Sequence, residues 1–282
     1  MIHLLEHTIK DTLNILPFLF VAFLFIELLE HKFSDNTKKI INKSGKLGPI
    51  VGSLLGLIPQ CGFSVVATNF YITRVISIGT LFSIYLTTSD EMLPIMISNK
   101  VDVKIIIFIL FIKLICGIVF GLLIDLFLRN EKYIRKYDYN ICEKHDCHCE
   151  HSLFKSVLKH TFNTFIFIFL ITIFLTLMFD NFDKNIINNI FMKDNIFGPF
   201  IGALIGLVPN CASSVILTEL FINDVINLGT CISGLLSCSG VALLILIKSN
   251  KNIKENLIII SSLYFISVLV GIILELIRIV LI

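Results

Sequence analysis

Long apolar segments alternate with short polar clusters along most of the chain. Runs such as Ile105–Ile112 and Phe162–Met178 contain no charged residue. A helix needs about 20 predominantly apolar residues to cross the hydrocarbon core of a bilayer. Three segments of the first half are of this kind and predict membrane-spanning helices: Leu13–Leu29, Val75–Ile97 and Ile105–Leu128.

A fourth apolar segment, Gly48–Tyr71, is interrupted by the sequence Pro-Gln-Cys-Gly at positions 59–62. Proline breaks a helix, and irregular backbone at membrane depth needs polar partners or a cavity. The segment therefore predicts two half-helices, Gly48–Ile58 and Phe63–Tyr71, which form either a re-entrant hairpin or two short crossings. The polar run Thr-Thr-Ser-Asp-Glu at 87–91 is a second candidate break.

The chain repeats itself with an offset of 150 residues. Gly48–Ser98 aligns with Gly198–Lys248 without a gap, and 22 of the 51 positions are identical. Self-similarity of this kind indicates a duplicated structural unit. Asp125 and Glu275 also correspond, and we expect both to reach water because they lie near span ends. The repeat predicts three regions: a first membrane unit at 1–129, a linker at 130–153 and a second membrane unit at 154–282.

Composition and charge refine this picture. Of the residues, 56% are hydrophobic and 16% are charged, whereas soluble domains carry about 25% charged residues. If each unit crosses the membrane an odd number of times, 16 Lys and Arg residues lie on one face and six on the other. An even number gives about 12 against 10, so the positive-inside rule favours odd units and a cytoplasmic linker.

Odd units that follow one another must be inverted relative to each other, as in many secondary transporters. We therefore expect an all-α polytopic membrane protein built from two inverted repeats. About 8–10 transmembrane segments are predicted, including broken or re-entrant helices.

The same Pro-amide-Cys tripeptide interrupts both halves, and it is the first candidate for a transport site. Its residues are Pro59, Gln60 and Cys61 in the first unit and Pro209, Asn210 and Cys211 in the second. Unwound backbone after the proline offers carbonyl groups, the amide adds an oxygen ligand and the cysteine adds a soft ligand. A helix kink packed by small residues would also account for one such motif, but its presence in both halves favours a site.

Acidic residues inside apolar segments are the second candidates. Asp90, Glu91 and Glu219 would each cost about 2.5–3.5 kcal/mol at a helix centre, so such acids usually face a cavity or a partner. We predict that Asp90 and Glu91 take part in translocation, whereas for Glu219 a solvated position near the interface is an equal alternative. The repeat places Gly-Val opposite Asp90 and Glu91, so the site is expected to be asymmetric. Lys113, inside a predicted span, is a candidate counter-ion.

Three cysteines and three histidines lie within ten residues of the linker. They are Cys142, His145, Cys147, His148, Cys149 and His151. Thiolate and imidazole groups together suit zinc, copper or another late transition ion. The spacing is not that of a zinc finger, so we expect a labile metal-loading loop and no resident cofactor. A metal-capturing loop in the cytoplasm fits export better than import.

These motifs resemble those of a known family. They are Gly56–Ser64 (GLIPQCGFS), Gly206–Ser214 (GLVPNCASS), Gly79–Glu91 (GTLFSIYLTTSDE) and the linker rich in His and Cys. The chain resembles the ten-helix heavy-metal exporters, a family also described as manganese transporters or arsenic efflux proteins. The resemblance covers nearly the whole chain and implies a metal or metalloid efflux permease, with ten helices if each broken segment counts as two.

The leading interpretation is a secondary transporter in the cell membrane that exports a transition-metal ion, manganese or another heavy metal. No P-loop or ATPase motif is visible in the sequence, so we expect coupling to a proton or ion gradient. An arsenite or organoarsenical permease with thiol ligands is the alternative, and a passive channel is a third. The sequence lacks the His-Glu-x-x-His and Gly-x-Ser-x-Gly motifs, so an enzyme is not expected. The expected partners are the lipid bilayer and the metal or metalloid, without nucleic acid; the oligomeric state stays open.

Overall fold

Ten α-helices account for the regular secondary structure of the described part of the chain. The computed structural model describes residues 47–58, 61–89, 92–128, 197–209 and 212–281, with isolated residues between 16 and 24 and between 158 and 170. The first half contains α1 (Gly48–Gly56), α2 (Cys61–Ile72), α3 (Ile78–Thr87), α4 (Met92–Ser98) and α5 (Val103–Leu128). The second half contains α6 (Gly198–Gly206), α7 (Ala212–Ile222), α8 (Leu228–Ser237), α9 (Ala242–Ser249) and α10 (Ile253–Leu281).

The two halves have the same sequence of helices. Each helix of the second half begins within a residue of the position 150 places after its counterpart. The turns after α2 and α7 are equivalent in detail, because Arg74 and Asp224 both adopt a left-handed backbone, with φ of 62° and 61°. Duplication of sequence is therefore accompanied by duplication of local structure.

The predicted helices and breaks of the first half can be compared directly with this structure. The break at 87–91 is confirmed, because α3 ends at Thr87 and α4 begins at Met92. The predicted span Val75–Ile97 is therefore two helices rather than one. The span Ile105–Leu128 is confirmed as α5, whereas most of Leu13–Leu29 and all of the linker at 130–153 lie outside the described residues.

Three helical stretches in the described part are long and apolar enough to cross a membrane. They are Val103–Phe127, Leu228–Ser249 (which comprises α8, its break and α9) and Ile253–Ile277. One face of α5 exposes a row of large apolar side chains: Phe108, Phe111, Ile115, Val119 and Leu123. An exposed apolar surface of this kind is expected of a helix that faces lipid.

Glycines spaced four residues apart bring α1 and α3 into close contact. A Cβ atom added at Gly48 would overlap the hydroxyl group of Thr80, and one added at Gly56 would overlap that of Thr87. In the second half, Gly198 and Gly206 of α6 meet Thr230 and Ser237 of α8 in the same way. Small residues permit such backbone approach between membrane helices. The N-terminal ends of α1 and α3 contact each other, and so do their C-terminal ends, so α1 runs parallel to α3. The chain returns along α2, which lies between these two helices in the sequence.

Helix α5 runs back along α3 in the opposite direction. Gly121 packs on Gly79, and Gly117 packs on Ser83 and Thr87, nearer the end of α3. The equivalent contact in the second half joins Gly271 of α10 to Gly229 of α8. The described part of each half thus consists of a hairpin, a broken helix and a long return helix packed through glycine.

The halves join through contacts that mirror each other. Helix α2 packs on α9, its counterpart α7 packs on α4, and α3 packs on α8. The fully buried side chains of this core include Leu81, Tyr85, Met92 and Leu217. Equivalent helices of the two halves therefore make equivalent contacts with the other half.

Candidate functional site

The breaks of the helices gather at the centre of the described part. In the second half, Gly206 at the end of α6 packs on Ser237 at the end of α8. The hydroxyl group of Ser213, in the first turn of α7, lies 3.4 Å from the sulfur of Cys238 in the α8–α9 break. Half-helices therefore begin and end together here, which is the arrangement that surrounds ion and substrate sites in many secondary transporters.

Lys113 links the breaks of the two halves. Its side chain is fully buried on α5. The ammonium group donates to the carbonyl oxygen of Thr88, the residue that follows α3, and to that of Leu235 in the last turn of α8, at 3.1 Å. The last carbonyl groups of a helix lack donors within the helix and carry its negative partial charge. One buried cation therefore serves the C-termini of two half-helices, one from each half.

Acidic side chains occupy the opposite ends of the same two helices. The carboxylate of Asp125 accepts from the backbone N–H of Gly79 at 2.8 Å and from the hydroxyl group of Ser77 at 2.6 Å. The carboxylate of Glu275, its counterpart, accepts from the side-chain amide of Asn227 at 2.8 Å. Each stabilises the positive N-terminal end of a neighbouring broken helix. Glu275 is 7% exposed, so the expectation that it reaches water is wrong, whereas Asp125 is partly exposed and also serves as a helix cap.

Hydroxyl groups around the breaks divide into two kinds. Most are engaged in packing, since Thr87 donates to the carbonyl oxygen of Ser83 at 2.7 Å and Ser237 to that of Ala203 at 2.8 Å. The hydroxyl group of Ser239 in the α8–α9 break is different, because it is buried and has no hydrogen-bond partner among the residues that the structure describes. A buried polar group without a partner is costly unless a water or an ion satisfies it. Ser239 is therefore a further candidate ligand.

Sulfur is also present near the centre. Cys231 and Cys238 are both buried and neither forms a disulfide bond; the first lies in α8 and the second just after it. No group of three or more His, Cys, Asp or Glu side chains is close enough to hold a metal ion among the residues that the structure describes.

The structure reaches only some of the residues that the sequence singled out. Cys61 begins α2, Pro209 follows the end of α6, and Glu219 lies on α7 with an exposed side chain. The remaining candidates fall outside the described residues: Pro59, Gln60, Asp90, Glu91, Asn210, Cys211 and the six Cys and His residues of the linker. The last described residue before Asp90 is Ser89, which is buried.

A buried ion pair joins the halves at one end of the molecule. The guanidinium group of Arg74, in the loop after α2, lies 2.8 Å from the carboxylate of Glu255 in the first turn of α10. Tyr71 and Asn252 also donate to that carboxylate, and the guanidinium group stacks on the Tyr71 ring at 4.8 Å. Burial is the largest single influence on the pKa of Arg74 and works to lower it, but the hydrogen bonds and charges of Glu255 and Tyr71 together outweigh burial and raise the pKa. The guanidinium group therefore stays charged at neutral pH.

Comparison with known proteins identifies the family. A family model described as "Putative, 10TM heavy-metal exporter" matches residues 3–191 and 167–279, which together cover nearly the whole chain. The chain belongs to this family. No curated protein and no solved structure matches the chain.

Membership of the heavy-metal exporter family agrees with the architecture described above. The family is one of polytopic membrane proteins with ten transmembrane helices, and the described helices are apolar and broken at the centre. The resemblance that the twin Pro-amide-Cys motifs indicated is thus confirmed at the level of the family.

Proposed function

We propose that this heavy-metal exporter is a secondary transporter that moves a transition-metal ion, manganese or another heavy metal, out of the cell. The observation that carries the proposal is the meeting of the helix breaks around buried Lys113. In the sequence, Asp90 and Glu91 come directly after Ser89, the last described residue of the segment that follows α3. Their carboxylates, with the amides of Gln60 and Asn210, would supply hard oxygen ligands suited to manganese.

The two units are proposed to be inverted in the membrane. Helix α1, with nine residues, is about 14 Å long and too short for a hydrocarbon core of about 30 Å. It enters and returns as a hairpin with α2, so the loop at 73–77 lies at the end where α1 begins. In the second half, the hairpin of α6 and α7 places the loop at 223–227 at the end where α6 begins.

The ion pair between Arg74 and Glu255 supports inversion. It joins the loop before α3 in the first half to the residues after α9 in the second half. Helices α3 and α4 do not pack side by side. Helix α4 therefore continues away from α3, and the broken helix that they form extends from the end near Arg74 to the opposite end. A loop that precedes the broken helix in one half thus meets a loop that follows it in the other, as antiparallel units require.

Inversion also fixes the proposed direction. Arg74 then lies on the same face as Lys248, Lys251 and Lys254 and as the linker at 130–153, which carries further basic residues. The positive-inside rule assigns that face to the cytoplasm of the cell membrane. The linker, with its cluster of Cys and His residues, would capture metal there before it enters the site.

The proposed function is tested in a deletion strain. Cells that lack the protein are challenged with manganese, zinc, copper, cobalt and arsenite, and the intracellular content of each element is measured. We expect one transition metal to accumulate, and we expect wild-type protein to restore its efflux. Asp90→Asn should abolish both efflux and its pH dependence, because that carboxylate is proposed to bind metal and proton alternately. Unchanged efflux in Asp90→Asn would exclude this mechanism.

Efflux of arsenite or an organoarsenical is the second candidate function. It is favoured by the buried sulfur of Cys238 beside Ser213 at the breaks, because soft thiol ligands suit such substrates. In that case Cys61→Ser should abolish efflux and Asp90→Asn should have a mild effect, which is the reverse of the pattern expected for manganese.

A further inference from the structure

The two halves differ most plainly at the position of Lys113. Its counterpart in the second half is Leu263, which is also fully buried. The fold therefore accepts an apolar side chain of similar length at the equivalent point of α10. A buried lysine is costly in a membrane and is normally paired. If packing were the only requirement at this position, leucine would satisfy it. What Lys113 adds to the centre is therefore the charge of its ammonium group.

The described partners of that charge include backbone carbonyl groups from both halves. Thr88 is the residue that follows α3. Leu235 lies in the last turn of α8, three residues before Cys238, which follows that helix. In transporters with inverted repeats, unwound carbonyl groups and the C-terminal ends of half-helices coordinate the coupling cation. Lys113 thus presents one positive charge to the kind of ligand set that a dissociable monovalent cation would use.

We propose that the Lys113 ammonium group takes the place of a monovalent coupling cation, so that the transport cycle needs no Na⁺ or K⁺. This inference rests on the proposed transport function. A tethered charge would hold the C-termini of α3 and α8 together in every state of the cycle, because it cannot dissociate. The asymmetry of the repeat is then explained: one ammonium group serves both half-helices, and the second half needs none.

The first arm of the test measures cation binding without a transported substrate. Purified Lys113→Ala should leave a cavity lined by the two carbonyl groups, and NaCl or methylammonium chloride should then stabilise the protein. At a concentration ten times Kd, we expect Tm to rise by about 3–5 °C relative to the same concentration of choline chloride. Wild type and Lys113→Met, in which the space is filled, should show no such difference.

Leu263→Ala provides the matched control. It creates a cavity at the equivalent position of the second half without removing a positive charge. A cation-specific rise in Tm for Lys113→Ala alone supports the proposal. An equal rise in Leu263→Ala, or no rise in Lys113→Ala with any of Na⁺, K⁺ and methylammonium, would overturn it.

The second arm measures metal efflux from proteoliposomes in Na⁺, K⁺ or choline buffers. We expect wild-type rates to agree within twofold in all three buffers, and Lys113→Ala to be at least tenfold slower in choline and partly restored by Na⁺ or methylammonium. A wild-type requirement for Na⁺ or K⁺ overturns the inference even if Lys113→Ala cannot be purified. Absence of metal efflux together with the cation-dependent Tm would instead contradict only the proposed function.

Discussion

Removing the charge of Glu255 should loosen the contact between the two halves. Its carboxylate is 3% exposed and accepts hydrogen bonds from Arg74, Tyr71 and Asn252. Glu255→Gln keeps the shape of the side chain, but it leaves the guanidinium group of Arg74 without its ionic partner. The perturbation therefore tests the charge rather than the packing.

The size of the effect follows from burial. Breaking a buried ion pair by removing one partner costs about 3–5 kcal/mol, because the remaining charge stays desolvated. The Arg74 side chain is 21% exposed, so water can partly solvate it and we expect the lower end, about 3 kcal/mol. For a chain of this size that corresponds to a fall in Tm of about 6–10 °C.

Thermal unfolding of purified protein in detergent measures this shift. Glu219→Gln is the matched control, because it removes an exposed carboxylate of the same type, and its Tm should stay within about 1–2 °C of wild type. The double variant Arg74→Gln with Glu255→Gln should be more stable than the sum of the single changes predicts. Equal Tm values for Glu255→Gln and wild type would refute the reasoning that this pair holds the halves together.

Three further changes test the packing, the caps and the linker. Gly121→Val should destabilise the protein by about 1–3 kcal/mol, because its added atoms would meet Ser83 and Gly79, whereas Val119→Leu on the exposed face of the same helix should cost less than about 0.5 kcal/mol in the same thermal assay. Asp125→Ala should cost about 1–2 kcal/mol, since α3 loses the acceptor at its N-terminus, and the loss should be read from Tm at constant detergent. The linker cysteines Cys142, Cys147 and Cys149 can be replaced by serine. The change should lower the amount of zinc or copper that elemental analysis finds on the full-length protein and should leave Tm unchanged. Retention of the same amount would show that the linker does not load metal.

Much of the fold could be predicted because its causes are local. Apolar length predicted α5, and the polar run at 87–91 predicted the break between α3 and α4, since both follow from how a helix meets lipid. The glycines at 48, 52 and 56 were visible in the repeated segment. Their role in packing was not, because the close approach of α1 to α3 depends on which helix lies opposite.

The contacts that organise the centre are long-range, and a single sequence does not specify them. Asp125 and Glu275 were expected in water because their positions near span ends are compatible with it; their role as caps depends on helices about 48 residues away. The pairing of Lys113 with an acid stays a prediction, because Asp90 and Glu91 lie outside the described residues; its described partners include the carbonyl groups of Thr88 and Leu235, which the sequence did not indicate. The repeat itself carried a usable signal, because a lysine opposite leucine marks a difference between otherwise equivalent helices.

The same difference bears on how two similar halves can produce directional transport. If the two halves were identical, a pseudo-twofold axis would relate the conformation open at one face to the conformation open at the other, and the two faces would be equivalent. Lys113 opposite Leu263 breaks that equivalence at the centre, and Arg74 opposite Asp224 breaks it in the two equivalent loops. In the proposed transport cycle, separation of the Arg74–Glu255 pair would accompany opening at that face, so the pair favours the conformation that is closed there. Glu255→Gln should therefore shift the resting population toward opening at the face of Arg74, as well as lower Tm, and labelling of a cysteine introduced at that face would measure the shift.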